Sequence, residues 1–258
     1  MTASVRPPAW QDRERWIALL EELFDPATVR RLERIGVAPG WHVLDVGAGG
    51  GSIARWLARQ VHPGGEVVAT DLDTTLLDPL DQPSLQVIRH DVLSDDFPPA
   101  SFDLIHCRAV LVHLSEPGRA LARMAEWLRP GGVLVAEEPW LDIGLLSPDP
   151  AMVRATQELR RAGDMDCGFA RRLPIALAEA GLDRIEAEGE LRFFDGGSRL
   201  SSFFVHVVDG VTGPLDADVP EARSELDRMR ERFADPACCD CGWPRIAAWG
   251  RKPPGPGP

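Results

Sequence analysis

A regular alternation of short apolar runs and helical patterns across residues 41–139 is the feature that most constrains how this chain can fold. Strands that alternate with helices form βαβ units, and these build a parallel sheet that is covered on both faces. The five strand-like runs are "HVLDV", "EVVATDL", "LQVIRHDV", "FDLIHCRAV" and "VLVAEEP", and the clearest helical segments are "SIARWLARQ" and "GRALARMAEWL".

The flanking segments extend this architecture. Residues 1–40 carry apolar residues at helical spacing, and the pair Asp25 and Pro26 predicts a cap and the start of a second helix. Later, "DRIEAEGEL" and "PRIAAWGRK" predict a sixth and a seventh strand. We therefore expect a doubly wound, Rossmann-like α/β fold with a mostly parallel seven-stranded sheet, N-terminal helices and a helical lid insertion.

The chain after residue 139 is less regular. "SPDPAMVRATQELRRAG" predicts one helix, which would form a lid or a substrate wall. "SRLSSFFVHVVDG" has the β-branched and aromatic residues of a strand, but its apolar residues recur at helical spacing, and we predict a helix. The expected division is N-terminal helices over the site (1–40), a cofactor-binding core (41–139), lid or substrate-wall helices with the sixth strand (140–210), a C-terminal helix with the last strand (211–252) and a disordered tail (253–258).

Composition limits the classes of partner. The 258 residues carry a formal net charge of -12, which argues against a nucleic acid partner because backbone binding needs a cationic surface. No apolar run reaches the ~18 residues of a membrane span, and the first residues lack the apolar core of a signal peptide. Five cysteines are an odd number, which speaks against a disulfide framework. We expect a cytoplasmic protein with a small-molecule partner and no membrane or nucleic acid contact, either a monomer or a homodimer.

A glycine-rich turn follows the first strand and precedes a helix. Gly47, Gly49, Gly50 and Gly51 allow positive φ and close approach of a ligand to the free N–H groups of the helix N-terminus. Read as G-x-G-x-x-G, the pattern has Ser52 at its third glycine position, so the match is weak by itself. The alternative is a tight turn that packs a helix on a strand.

Acidic residues lie at the ends of the second and third predicted strands. Asp71 lies about 20 residues beyond the glycine turn, the spacing at which a carboxylate meets ribose hydroxyls; its alternative role is a helix cap. Asp91 could accept a hydrogen bond from an exocyclic amine while the Val92 N–H donates to a ring nitrogen, a pair that would recognise adenine; its alternative is a plain turn acid. Because carboxyl ends of parallel strands meet at one edge, these residues are expected to line one crevice.

Taken in order, "VLDVGAGGG", "VVATDLD", "RHDV", "FDLIHCRAVLVHL" and "LRPGGVLVAEEP" resemble the class I S-adenosylmethionine-dependent methyltransferases. The resemblance is to the ubiquinone and menaquinone type and its relatives in secondary metabolism. It covers roughly residues 41–138, and "RRLPIALAEAGL" and "AAWGRKP" match more loosely.

The resemblance implies a role for each matching residue. Asp45 would lie near the ammonium group of S-adenosyl-L-methionine, whose positive charges make an acid in the loop favourable. The other cofactor-binding residues that it implies are Gly47, Ala48, Gly49 and Gly51 at the methionine and ribose portion, Asp71 at the ribose, Leu72, Asp91 and Val92 at the adenine, and Cys107 and Arg108 at the amino acid part.

The implied reaction is methyl transfer to O, N or C of a small molecule in secondary or quinone-like metabolism, with S-adenosyl-L-homocysteine as product. His113, just past the fourth strand, is the candidate general base; its alternative role is to brace that loop. His106 is predicted to pack inside its strand, and His206 is a weaker candidate for a substrate cavity. Trp10, Trp16, Trp140 and Phe169 either line a pocket for a planar substrate or pack the flanking helices.

Two other functions stay open. An NAD-dependent oxidoreductase shares the fold plan, but Asp45, Ser52 and the lack of a Tyr–Lys pair disfavour it. An S-adenosylmethionine-binding protein without transferase activity has the same motifs. Cys238, Cys239 and Cys241 invite a metal interpretation, but paired C-x-x-C spacing and a nearby histidine are missing, so we predict no metal.

Overall fold

A computed structural model describes residues 13–77, 82–141, 166, 168–212 and 220–255 of the chain. For some residues within 207–226 it describes the backbone only. The strands are β1 His42–Val46, β2 Glu66–Asp71, β3 Leu85–Arg89, β4 Phe102–Arg108, β5 Leu128–Pro139, β6 Asp183–Glu190, β7 Phe193–Asp195, β8 Cys239–Cys241 and β9 Arg245–Arg251. The helices are α1 Arg13–Ile35, α2 Ser52–Val61, α3 Pro117–Trp127, α4 Phe169–Glu179, α5 Arg199–Thr212 and α6 Pro220–Ala234, with a short 3-10 helix at Leu111–His113.

Seven strands form one sheet in the order β3-β2-β1-β4-β5-β9-β6. β9 runs antiparallel between β5 and β6, and the other six strands run parallel. The predicted mostly parallel seven-stranded sheet is therefore confirmed. Strand order reverses between β1 and β4, which makes their carboxyl ends the topological switch point, where ligands bind in folds of this kind.

Helices cover both faces of the sheet because alternate residues of each strand point to opposite sides. On one face, Leu44 and Ile105 pack against α3 and α4 in a buried apolar cluster. On the other face, Val43 and Leu104 pack against Leu57 of α2 and other buried residues. This double cover explains why the central strands read as continuous apolar runs.

The N-terminal segment differs from the prediction. Asp25 and Pro26 do not begin a second helix, because α1 continues through Pro26 as a single element. The Asp25 carboxylate accepts a hydrogen bond from Arg108 at 2.8 Å instead of acting as a cap. The Leu23 carbonyl, one turn before the proline, accepts a hydrogen bond from Arg192 at 2.6 Å. These tertiary contacts outweigh the local helix-start signal.

The ambiguous segment "SRLSSFFVHVVDG" is helical, as α5, and the predicted C-terminal helix is α6. α4 begins at Phe169 and contains Pro174. The predicted lid helix, within 147–163, lies outside the described residues, as do 256–258 of the tail. No helix in the described ranges is long and apolar enough to cross a bilayer.

A two-stranded sheet of β7 and β8 was not predicted. It carries the cysteine-rich segment, with Cys239 exposed and Cys238 and Cys241 half-buried. Within the part of the chain that the structure describes, no group of three or more His, Cys, Asp or Glu side chains is arranged to hold a metal ion.

Candidate functional site

A cavity of about 290 Å³ opens at the carboxyl ends of β1 to β4, under α1 and α5. It brings together most of the residues that the sequence predicted, although they come from four separate strand ends. Those that line it are Asp45, Gly47, Ala48, Gly49, Asp71, Leu72, Asp91, Val92, Arg108 and His113.

The turn after β1 is built so that only glycine fits. Gly47 has φ +67°, and a Cβ there would lie 2.3 Å from Val110 Cγ2. A Cβ at Gly50 would lie 2.6 Å from Glu21 Oε1 of α1. The Gly49 N–H donates to Asp71 Oδ2 at 3.1 Å, which ties the turn to the end of β2. The glycines thus keep backbone, and no side chain, at this wall of the cavity.

The structure places two predicted residues away from the cavity. Gly51, the residue just before α2, has φ +80°. This left-handed backbone conformation favours glycine, so the turn itself explains the residue. The Cys107 side chain is fully buried in the apolar cluster on the opposite face of β4 from His106. Burial raises the pKa of its thiol well above the usual value, so Cys107 is a neutral core residue.

Asp45 and His106 form a buried pair beneath the glycine turn. His106 Nδ1 lies 2.7 Å from Asp45 Oδ1, and its Nε2 lies 3.4 Å from Glu137 Oε1. Burial lowers the pKa of His106, but the hydrogen bond to Asp45 and the Glu137 carboxylate outweigh it and raise the pKa to about 9. The ring therefore does more than pack: it is an imidazolium between two carboxylates, of which Asp45 lines the cavity and Glu137 does not.

Glu137 also fastens α1 to the sheet. Its Oε2 lies 2.7 Å from Arg31 Nη1 and accepts a hydrogen bond from Thr28 at 3.1 Å. Arg108, at the end of β4, donates to the Thr28 hydroxyl at 3.1 Å and to Asp25. One buried polar network thus holds the helix that covers the cavity.

The two remaining predicted carboxylates sit at the next strand ends. Asp71 accepts backbone N–H groups of Gly49 and Asp73, both at 3.1 Å, while burial raises the pKa of its carboxyl group. Asp91 accepts the Leu93 N–H at 2.9 Å, so it is a turn acid that also lines the cavity.

A part of the cavity that we call the aromatic part lies between α1, α5 and the start of β9. Sequence reasoning anticipated one of its residues, Trp16, while Trp140, Phe169 and His206 do not line the cavity, and Trp10 lies outside the described residues. The side chains that define this part are Trp16, Phe24, Phe203, Phe204, Trp243, Arg192 and Arg245.

The turn after β4 carries His113 into the cavity. Burial lowers the pKa of His113 to about 4, so its imidazole is neutral near pH 7. The turn is held from below by Glu138, which accepts the N–H groups of Val110, Leu111 and Val112 at 3.1, 2.9 and 3.2 Å. Burial raises the pKa of Glu138 to about 7.

Comparison with known proteins shows what the chain is similar to. Residues 44–136 match the family model described as a methyltransferase domain. The ubiquinone/menaquinone biosynthesis C-methyltransferase UbiE of Bordetella parapertussis is 28% identical over 179 residues, which cover 59% of this chain and 67% of that protein. Residues 44–136 thus form a domain similar to those of the class I S-adenosylmethionine-dependent methyltransferases.

Two further comparisons describe how far the likeness extends. A 37.1 kDa protein of transposon TN4556 from Streptomyces fradiae is 32% identical over 159 residues, and the match spans 54% of this chain and 46% of that protein. The structure of phosphoethanolamine N-methyltransferase 2 from Haemonchus contortus, in complex with S-adenosyl-L-methionine, superposes with a TM-score of 0.62 at 19% identity. That superposition covers 96% of this chain and 60% of the other, and it supports the shared fold.

The cavity's donor set fits the cofactor of this methyltransferase family. Its strand-end carboxylates suit a ligand with an ammonium group, a sulfonium and ribose hydroxyls, and the glycine backbone leaves room beside them. Sequence reasoning missed the roles of some site residues, such as His106 and Arg245. These residues lie on strands that are distant in sequence from their partners. Their only local signal is a polar residue within or beside an apolar strand.

Proposed function

We propose that this protein is an enzyme that transfers a methyl group from S-adenosyl-L-methionine to a small-molecule acceptor and releases S-adenosyl-L-homocysteine. One observation carries the proposal: a single cavity joins the carboxylates at the ends of β1, β2 and β3 to the aromatic part under α1 and α5. The first region suits the cofactor, and the second suits an apolar acceptor placed beside it.

In this proposal, Asp45 accepts a hydrogen bond from the cofactor's ammonium group and Asp71 accepts two from the ribose hydroxyls. Leu72 and Val92 pack against the adenine, Asp91 binds its exocyclic amine, and the methionine end lies along the backbone of Gly47, Ala48 and Gly49. Arg108 stays paired with Asp25 and shapes the wall near the amino acid end. When bound, S-adenosyl-L-methionine supplies an electrophilic methyl group on a positively charged sulfur.

The chain's own task is alignment and exclusion of water. α1 covers the cavity, and the network of Thr28, Arg31 and Glu137 holds it there. Where the acceptor atom is a hydroxyl or amine, it must lose a proton, and His113 is the proposed base. Burial lowers its pKa to about 4, so the ring is unprotonated at neutral pH but is a weak base, and efficient proton transfer requires that the bound acceptor raise this pKa.

The class of acceptor follows from the cavity and the relatives. Aromatic walls favour a planar ring, and the name of the UbiE relative points to C-methylation in quinone biosynthesis. The net charge of -12 supports a small molecule over a nucleic acid as acceptor, and a cytoplasmic monomer or homodimer is the accompanying proposal.

The direct test incubates the protein with methyl-labelled S-adenosyl-L-methionine and a panel of quinols, phenols, aromatic acids and amines. We expect label in at least one acceptor, and loss of that transfer in Asp71→Asn but not in Asp73→Asn, a matched change of an exposed neighbour. Binding of S-adenosyl-L-homocysteine with no transfer to any acceptor would favour the binding protein without transferase activity. Absence of binding would overturn the assignment.

A further inference from the structure

Two buried N–H donors, on residues that line the aromatic part of the cavity, have no hydrogen-bond partner among the described residues. They are Nη1 of Arg245, at the start of β9, and Nε1 of Trp243, two residues earlier. Both side chains line the cavity. Leaving a buried donor unmatched is unfavourable, and more so for a charged group, so such donors indicate a place for a ligand's acceptor atoms.

Arg245 also lacks a carboxylate of its own. Its nearest carboxylate atom in the described chain, Oε2 of Glu137, lies 3.6 Å from Nη2, and Glu137 is already shared by Arg31 and His106. Burial lowers the pKa of Arg245 to about 10; the Glu137 and Glu190 carboxylates oppose that shift, whereas Arg108 and Arg31 add to it. A guanidinium that is buried beside other cations favours an anionic ligand.

The other basic side chains of this region are paired. Arg192 donates to Glu190 at 2.7 Å and to the Leu23 carbonyl, and Arg108 donates to Asp25 and Thr28. Among the arginines that line the cavity, Arg245 is the one that has a buried N–H without a hydrogen-bond partner in the described ranges. The Phe24 ring lies 3.9 Å from its guanidinium carbon, which holds the planar group in one orientation.

The surrounding walls define the rest of the ligand. Trp16 stacks on Phe203 with centroids 4.4 Å apart, and Phe204 meets Trp243 edge-on at 5.1 Å. Rings fixed in this way accept a planar apolar body. Arg245 and Trp243, two residues apart in the chain, both line that space, and a guanidinium with an indole N–H offers a positive charge and donors that suit the two oxygens of a carboxylate.

We propose that the methyl acceptor is a planar aromatic carboxylic acid whose carboxylate is bound by Arg245 and Trp243. This inference rests on the proposed function, since it names the acceptor of the same cavity. Arg245 and Trp243 are specificity-determining residues in this account: they bind the acid group and orient the ring beside the cofactor region.

The test compares matched ligands that differ only in the acid group: 2-naphthoate with 2-naphthamide, and indole-3-acetate with indole-3-acetamide. Titrations are run on the full chain with S-adenosyl-L-homocysteine present. We expect at least one acid to bind about tenfold or more tightly than its amide, as loss of one charged hydrogen bond implies. Arg245→Met lowers the affinity for that acid by about 10–100-fold and leaves the amide unchanged, and Trp243→Phe lowers it by about 3–10-fold.

Arg251→Met is the matched control, because Arg251 lies on the same strand and donates outside the cavity to the Gly131 carbonyl. It should bind acid and amide as the wild type does. Equal affinity for acids and amides, failure of every acid to bind, or an acid preference that persists in both Arg245→Met and Trp243→Phe would overturn the inference. In each of those cases intact binding of S-adenosyl-L-homocysteine leaves the proposed function standing, whereas loss of that binding in the wild type contradicts the proposed function itself.

Discussion

Among single residues, His106 has the largest electrostatic consequence for the site. Its imidazolium holds Asp45 and Glu137 together below the glycine turn. Its pKa of about 9 in the folded chain exceeds the unfolded value of 6.5. The stabilisation it provides is therefore fully present below about pH 6.5 and is lost as the pH rises through 9.

Because the pKa of His106 is higher in the folded chain than in the unfolded chain, its stabilising effect should decrease as the pH rises. The free energy of unfolding of the wild type should fall by roughly 2–4 kcal/mol relative to His106→Gln between pH 6.5 and pH 10. Urea denaturation of both proteins across that range measures the difference. Glu138 titrates near pH 7 in both proteins, so its contribution to the unfolding free energy cancels in the difference between them. Parallel pH profiles for the two proteins would show that His106 is neutral in the folded state.

Gly47 is the second residue whose role can be isolated. Gly47→Ala places a Cβ against Val110 and imposes φ +67° on an L-residue, so we expect a loss of roughly 2–4 kcal/mol in unfolding free energy. Val110→Ala in the same chain removes the clash but not the φ strain. A double-mutant cycle measured by urea denaturation should give a favourable coupling of roughly 1–2 kcal/mol. Simple additivity would mean that the turn relaxes away from Val110.

How far sequence could predict these residues depends on where their partners lie. Asp71 and Asp91 were found because a rule about parallel strand ends places them in one crevice. The partnership of His106 and Asp45 joins residues 61 positions apart on adjacent strands, and it depends on a register that no local pattern encodes. The unmatched donor of Arg245 likewise appears only when β9 inserts beside β5.

Among elements, α1 has a function beyond packing, because it forms the cover of the cavity. Asp25 pairs with Arg108, whose side chain is only 8% exposed. Asp25→Ala leaves that guanidinium buried and unpaired, so we expect a loss of roughly 2–3 kcal/mol in unfolding free energy and faster hydrogen exchange of the α1 amides.

Glu22→Ala is the matched control for that prediction, since Glu22 is an adjacent acid of α1 that pairs with Arg199 at the exposed surface. It should leave both stability and α1 exchange close to the wild type. If the two substitutions behaved alike, the Asp25–Arg108 pair would not be what holds α1 over the cavity.

Elements that were predicted from the sequence are long. Elements that were not predicted are short and depend on contacts between distant parts of the chain. Long periodic segments such as α5 and α6 were recognised by their spacing alone. β7 and β8 have three residues each, too few for a periodic signal, and they pair only because α5 and α6 bring them together. Pro26 was misread because the tertiary contacts of α1 override its local tendency to start a helix.

For the whole molecule, the topological switch point explains why carboxylates from three strands converge on one cavity. The central claim is that this cavity binds S-adenosyl-L-methionine through Asp45, Asp71 and Asp91. The same fold plan also suits NAD, so the identity of the nucleoside ligand is what separates the two main functions.

Calorimetric titration of S-adenosyl-L-homocysteine into the wild type, Asp71→Asn and Asp73→Asn tests that claim most directly. We expect one-to-one binding to the wild type and to Asp73→Asn, a roughly 10–100-fold loss of affinity in Asp71→Asn, and no binding of NAD. Absence of S-adenosyl-L-homocysteine binding, or equal affinity in the two variants, would contradict it.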